Sequence, residues 1–115
     1  MSKSEAAIQQ EMVVWFRNNY QRKGVDKGII FSVPNEREGF LTMRNLILTG
    51  LMSGVSDLIV VLKGKVIFVE VKTLTGKQSA KQKLFESMVA NLGFEYHLVR
   101  TLESFKNIIT KYIGY

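Results

Sequence analysis

The chain has 115 residues, 46% of them hydrophobic, and its 16 Lys and Arg against 10 Asp and Glu give a formal charge of +6. That length suits one domain over residues 1–115 with one core, and the basic balance makes a polyanion the first partner to consider. Without cysteine there are no disulfides, thiolate zinc sites or cysteine nucleophiles, and no apolar stretch approaches a membrane span. Since Met1-Ser2-Lys3-Ser4-Glu5 lacks the hydrophobic segment of a signal peptide, a soluble, cytoplasmic protein is expected.

From Ser4 to about Arg22, Ile8, Met12, Trp15, Phe16 and Tyr20 fall at helical spacing, and Ser2 with Glu5 predicts a capping box at its start. Gly24 to Gly28 breaks the helix, and Ile29-Ile30-Phe31-Ser32-Val33 reads as a strand stopped by Pro34. Phe40, Leu41, Met43, Leu46, Ile47 and Leu48 predict a helix within Glu38 to Gly50, with Gly50 as its C-cap. Two strands follow, Leu58 to Leu62 and Val66 to Val69, apolar enough to be covered on both faces. Lys63-Gly64-Lys65 between them fits only a tight antiparallel hairpin. Ser79 to Asn91 is a helix with Leu84, Phe85, Met88, Val89 and Leu92 inward, closed by Gly93. Tyr96 to Val99 is a strand, and Leu102 to Tyr112 a helix capped by Thr101. The class is α/β: a small mixed central sheet with a β-hairpin, flanked by helices.

Chemistry concentrates on the hairpin. Gly54-Val55-Ser56-Asp57 leads into its first strand, and Glu70-Val71-Lys72 ends its second. A two-residue turn at Gly64-Lys65, with glycine first as type II′ prefers, pairs Lys63 with Val66. Asp57 then faces Lys72 and Ile59 faces Glu70, so Asp57, Glu70 and Lys72 share one face. A slip of one residue would send Asp57 to the other face. Two carboxylates with the Val71 carbonyl offer magnesium or manganese an oxygen-ligand set that leaves room for water and a phosphate oxygen. Lys72 beside them can hold the attacking water or stabilise charge on the phosphate. Singly, Asp57 reads as a turn residue, and Glu70 and Lys72 as a solvated strand end. Together they terminate an otherwise apolar strand, where a charge needs partners.

Gly54-Val55-Ser56-Asp57, the apolar strand, Glu70-Val71-Lys72 and then Gly76…Gln82 resemble the PD-(D/E)XK nuclease superfamily. Within it they are similar to the VRR-NUC branch, in the short stand-alone form associated with bacteriophages, from Glu5 to about Ile109. Ser56 stands where that branch usually has proline, which affects turn rigidity and leaves the acid in place. The resemblance implies a restriction endonuclease-like fold and a divalent-metal-dependent DNA endonuclease. Its implied substrate is branched DNA, four-way (Holliday) junctions first and flaps next. It also implies that Glu5 completes the metal site, with Glu11 the alternative, although Glu5 equally suits a capping box. Gln9, one turn beyond Glu5, faces the same way. Gln82 matches a helix glutamine expected near the scissile phosphate, while Ser79 and Gln82 also form an S-x-x-Q capping box. Asn35-Glu36 resembles a polar pair of the branch and has no evident physical role.

Lys77, Lys81, Lys83, Arg44 and Lys63, with Lys65 and Arg37, are the candidate phosphate contacts, giving affinity without base readout. Symmetric cutting of a four-way junction needs two sites about a two-fold axis, so a homodimer is expected. The apolar segment Phe40 to Met52 is a candidate interface, with core packing its alternative. No helicase or other replication-repair partner is identifiable. The rival readings are a non-catalytic nucleic-acid-binding protein on the same fold, and a flap or single-strand nuclease. A metal-independent RNA-processing enzyme would want more histidine than the isolated His97. Gly76-Lys77 followed by Ser79 is no phosphate-binding loop, because Val71 occupies the position of its first glycine. Trp15 and Phe16 fit a core stripe better than a base-stacking platform.

Overall fold

The computed structural model describes residues 3–33 and 48–114, ordered α1 (Glu5–Tyr20), β1 (Gly28–Ser32), β2 (Leu58–Leu62), β3 (Lys65–Val71), α2 (Ala80–Asn91), β4 (Glu95–Val99) and α3 (Leu102–Ile113). Arg37, Arg44, Asn35-Glu36 and the candidate interface up to Ile47 lie outside the described residues. Gly50, expected as a C-cap, does take a positive φ of 118°.

The four strands lie side by side in the order β1-β2-β3-β4. β1 with β2 and β2 with β3 are antiparallel, whereas β3 and β4 are parallel. Parallel neighbours need a long crossover, and α2 supplies it. Alternation along the strands sends Leu58, Val60 and Leu62 of β2 and Ile67, Val69 and Val71 of β3 to one face. There they meet Ile8, Met12 and Phe16 of α1 and Phe105 and Ile109 of α3, forming the main core. Each such side chain contributes about 1.5–3 kcal/mol when fully buried. On the opposite face α2 covers β3 and β4: Phe85 meets Phe68 edge-on, with ring centroids 5.7 Å apart. Helix α1 also shields the free edge of β1, where Gln21 Oε1 accepts the Ile30 N–H at 2.8 Å. No described helix is long and apolar enough to cross a membrane.

Several expectations need correction. Ser4, not Ser2, caps α1, its hydroxyl accepting the Ala7 N–H at 3.1 Å. Of the two hairpin strands, β3 is covered on both faces as expected, whereas in β2 Ile59 and Val61 stay half-buried beside the buried Leu58 and Val60. Only Phe85 and Val89 of α2 point inward, leaving Leu84, Met88 and Leu92 exposed. The helix meets the sheet along a single narrow stripe.

The hairpin turn also sits one residue earlier than expected. Leu62 pairs with Lys65, so Lys63-Gly64 forms the turn, and Gly64 takes the positive φ of 68° in second position. Ile59 faces Phe68 and Leu58 faces Val69. Continuing that register sets Asp57 opposite Glu70, where Lys72 was expected. The pairing moves by two residues, and an even shift keeps every side chain on its face.

Candidate active site

Glu70 ends β3 on the side that α2 covers, and is 1% exposed. A carboxylate so placed must find donors. Gln82 Nε2 donates to its Oε2 at 3.1 Å, and the Tyr96 hydroxyl donates to its Oε1 at 3.2 Å. The Asp57 carboxyl lies close enough to act on it. Asp57 in turn accepts the Val71 N–H at Oδ2, at 2.7 Å. Its own carbonyl accepts the Val33 N–H at 3.0 Å, fixing the approach to β2 against the end of β1.

Electrostatics follow from this arrangement. Burial, then the nearby Asp57 carboxyl and its charge, push the Glu70 carboxyl up from 4.5 to about 8, while Lys72 and Tyr96 pull it back in part. Two carboxyls this close cannot both ionise cheaply, so the pair retains a proton near neutrality. Lys72 sits close enough for its charge to act on Glu70.

Two local devices bring α2 onto this pair. Ser79 and Gln82 form the expected capping box: Ser79 Oγ accepts the Gln82 N–H at 3.1 Å, and Gln82 Oε1 accepts the Ser79 N–H at 2.8 Å. With its oxygen so engaged, the Gln82 amide directs its nitrogen to Glu70. Capping and contact with Glu70 are thus served by two ends of one side chain. The second device is Gly54, whose φ is 83° and which packs against the first turn of α2. A Cβ there would lie 2.3 Å from the Lys81 carbonyl oxygen, so only glycine brings the Asp57 loop this close to the helix.

A cleft of about 590 Å³ opens beside the pair, with Gln9, Gly54, Asp57, Ser79, Lys81 and Gln82 in its walls. Lys77, Lys81 and Lys83 are exposed and pair with no acid among the described residues. Glu5 is exposed in the first turn of α1, one turn before Gln9, and Glu11 is ion-paired with Lys3. Among the described residues no group of three acidic, histidine or cysteine side chains is arranged to hold a metal. Lys63 lies in the hairpin turn, at the far end of β2 from Asp57 and beside a separate hollow of about 820 Å³. Lys65, next to it, is ion-paired with Glu95. His97 is half-buried 3.2 Å from Glu95, and Trp15 packs edge-on against Tyr20 and Phe105 in the core. Arg100 donates to the carbonyls of Thr73 and Gly76 at 2.6 and 2.7 Å and ties down the loop that carries Lys77.

Tyr96 and Arg100 escaped the sequence reading. Both belong to β4 or its end, and only the parallel pairing with β3, which sets Tyr96 beside Phe68, brings them here. A tyrosine in an otherwise apolar strand was the available signal.

The sequence matches the VRR-NUC domain family over residues 4–102. The chain belongs to the VRR-NUC family. A solved structure titled "VRR_NUC domain protein" superposes with a TM-score of 0.76 at 19% identity, covering 98% of this chain and 90% of that one. Another, titled "VRR_NUC domain", gives 0.64 at 20% identity over 96% and 99% of the two chains. No curated protein matches the sequence significantly. The fold is that of VRR-NUC structures, restriction endonuclease-like, and membership assigns the chain a nuclease-type function. In this VRR-NUC domain the residues that carry the family resemblance, Asp57, Glu70, Lys72 and Gln82, gather at one end of the hairpin.

Proposed function

We propose that the protein is a divalent-metal-dependent endodeoxyribonuclease that hydrolyses phosphodiester bonds in branched DNA, four-way junctions foremost. The observation that carries this reading is the convergence of Asp57, held by the Val71 amide, and Glu70, held by Gln82 and Tyr96, beside a cleft with Lys81 in its wall. The donor set fits magnesium or manganese: both groups are carboxylates, hard oxygen ligands, and the proton they share is what a cation would displace. When bound, the cation polarises a phosphate oxygen and favours attack by water at phosphorus.

The chain's own residues do the rest. Asp57, anchored by the Val71 amide, and Glu70, anchored by Gln82 and Tyr96, present oxygens in a fixed relation. Lys72 supplies positive charge where the phosphoryl group accumulates negative charge. Lys81 in the cleft wall, with Lys77 and Lys83 nearby, holds the backbone on either side without reading bases. A symmetric pair of cuts across a junction calls for two such sites, hence a homodimer.

The test is a panel of labelled single-stranded, duplex, flap and four-way substrates with magnesium or manganese. Wild type should nick the four-way substrate fastest, and Lys72→Ala should bind it but not cut it. Equal cutting by wild type and Lys72→Ala would refute the assignment; metal-dependent cutting confined to flaps or single strands would transfer the site to another substrate. Binding without any cutting would favour the non-catalytic alternative.

A further inference from the structure

Glu70 is gripped from two sides by donors far apart in the chain, Gln82 of α2 on Oε2 and Tyr96 of β4 on Oε1. The Tyr96 hydroxyl is itself held. Gln78 Nε2 donates to it at 3.2 Å and to Glu86 Oε1 at 3.1 Å. These contacts fix the direction of the network. The Glu86 carboxylate accepts, so the nitrogen of the Gln78 amide must face it; that nitrogen then donates to the tyrosine oxygen. A phenol has one proton, and with its oxygen already accepting, the proton goes to Glu70. The Tyr96 ring is fixed too, edge-on to Phe85 with centroids 6.2 Å apart.

We propose that Tyr96 is a positioning residue for the nuclease reaction: its hydroxyl locks the Glu70 carboxylate toward Asp57, and Gln78 locks that hydroxyl. The proposal deepens the reading of Asp57 and Glu70 as the cation-holding pair and rests on it. One donor, Gln82, leaves the carboxylate free to pivot about the oxygen it holds. A second donor on the other oxygen defines its plane. Groups that orient a ligand in this way typically contribute 10–100-fold to metal affinity.

The experiment is calorimetric titration of the full chain with Mn²⁺ alone, alongside steady-state cleavage of the four-way substrate. Tyr96→Phe keeps the ring packing and removes only the hydroxyl. It should weaken Mn²⁺ binding by about tenfold or more and lower kcat with little change in KM. Gln78→Ala should weaken binding less, and the double variant should match Tyr96→Phe alone, because Gln78 acts through the hydroxyl. Additive losses would overturn the proposal, since they mean two independent structural effects. So would wild-type Mn²⁺ affinity in Tyr96→Phe while Glu70→Gln has lost it; the carboxylate pair would then stand without Tyr96. Wild-type affinity in Glu70→Gln overturns both. Thermal unfolding checks the fold of each variant, and should Tyr96→Phe fail to fold, unchanged affinity in Gln78→Ala overturns the proposal by itself.

Discussion

The two ends of the β2–β3 hairpin each hold a glutamate in a hydrogen-bonded cluster, and the clusters behave in opposite ways. At the closed end Glu95 accepts from Lys65, Tyr112 and His97, and these contacts, the Lys65 one foremost, hold its carboxyl down at about 2. At the open end Glu70 meets neutral donors and a second carboxylate, is buried, and is pushed up to about 8. One acid has its cation supplied by the chain. The other has everything except a contacting cation, and that difference separates a structural charge from a candidate catalytic one.

The largest expected effect breaks the comparison outright. Glu70→Ala should reduce nicking of labelled branched DNA by ~10³-fold or more, while metal-free binding stays within about threefold, a gel-shift scale well under 1 kcal/mol. Glu95→Ala should leave the cleavage rate unchanged. Comparable losses in both would mean that the two clusters do not differ in the way described.

Next in size is Gly54→Ala, which forces a side chain into left-handed backbone against the Lys81 carbonyl. A cost of about 1–3 kcal/mol is expected, seen as a drop of several degrees in the thermal midpoint together with loss of cleavage. The positive-φ Gly64 of the turn meets nothing within 4 Å, so Gly64→Ala should carry the conformational cost alone and leave cleavage intact.

Acid–base behaviour sharpens the contrast further. Glu70 binds more protons folded than unfolded between pH 4.5 and about 8, so its contribution to metal-free stability is complete below 4.5 and is lost as pH rises through about 8. Glu95 runs the other way: its contribution is present above 4.5 and is lost as pH falls through about 2. Denaturant titrations across pH should therefore show Glu70→Gln flattening the upper limb and Glu95→Gln the lower, each sparing the other. Manganese affinity should also rise with pH up to about 8, because the bound proton must leave.

The smallest effect concerns the flanking cations. Lys81→Ala should weaken DNA binding modestly and lower the salt slope by about one. Lys63→Ala, at the closed end, should do neither.

Much of the open end was legible because its chemistry depends on parity. Asp57, Glu70 and Lys72 share a face under any even register, so misplacing the turn by one residue, which moved the pairing by two, did no harm. The spans of α1, α2 and α3 were equally readable from apolar spacing and, for the last two, from the Ser79 and Thr101 caps. Apart from the Ser2 cap and the turn position, the failures were tertiary. Leu84, Met88 and Leu92 have helical spacing but point to solvent, because α2 meets the sheet along a narrow stripe. Tyr96 could not be placed, because nothing local in Glu95-Tyr96-His97 states which strand it will lie beside. Gln82 posed a choice between a cap and a place beside Glu70, and the two ends of its amide serve both.

Joining β3 to β4 in parallel sets two unequal closure distances in one sheet. Hairpin closure is a matter of microseconds, whereas the pairing of β4 with β3 is non-local and must close the whole crossover, which is slower. Until then Glu70 is bathed in solvent, ionised and without its tyrosine. The candidate pair is thus completed by a strand distant along the chain, and it is the docking of that strand beside β3 that gives the acid its tyrosine.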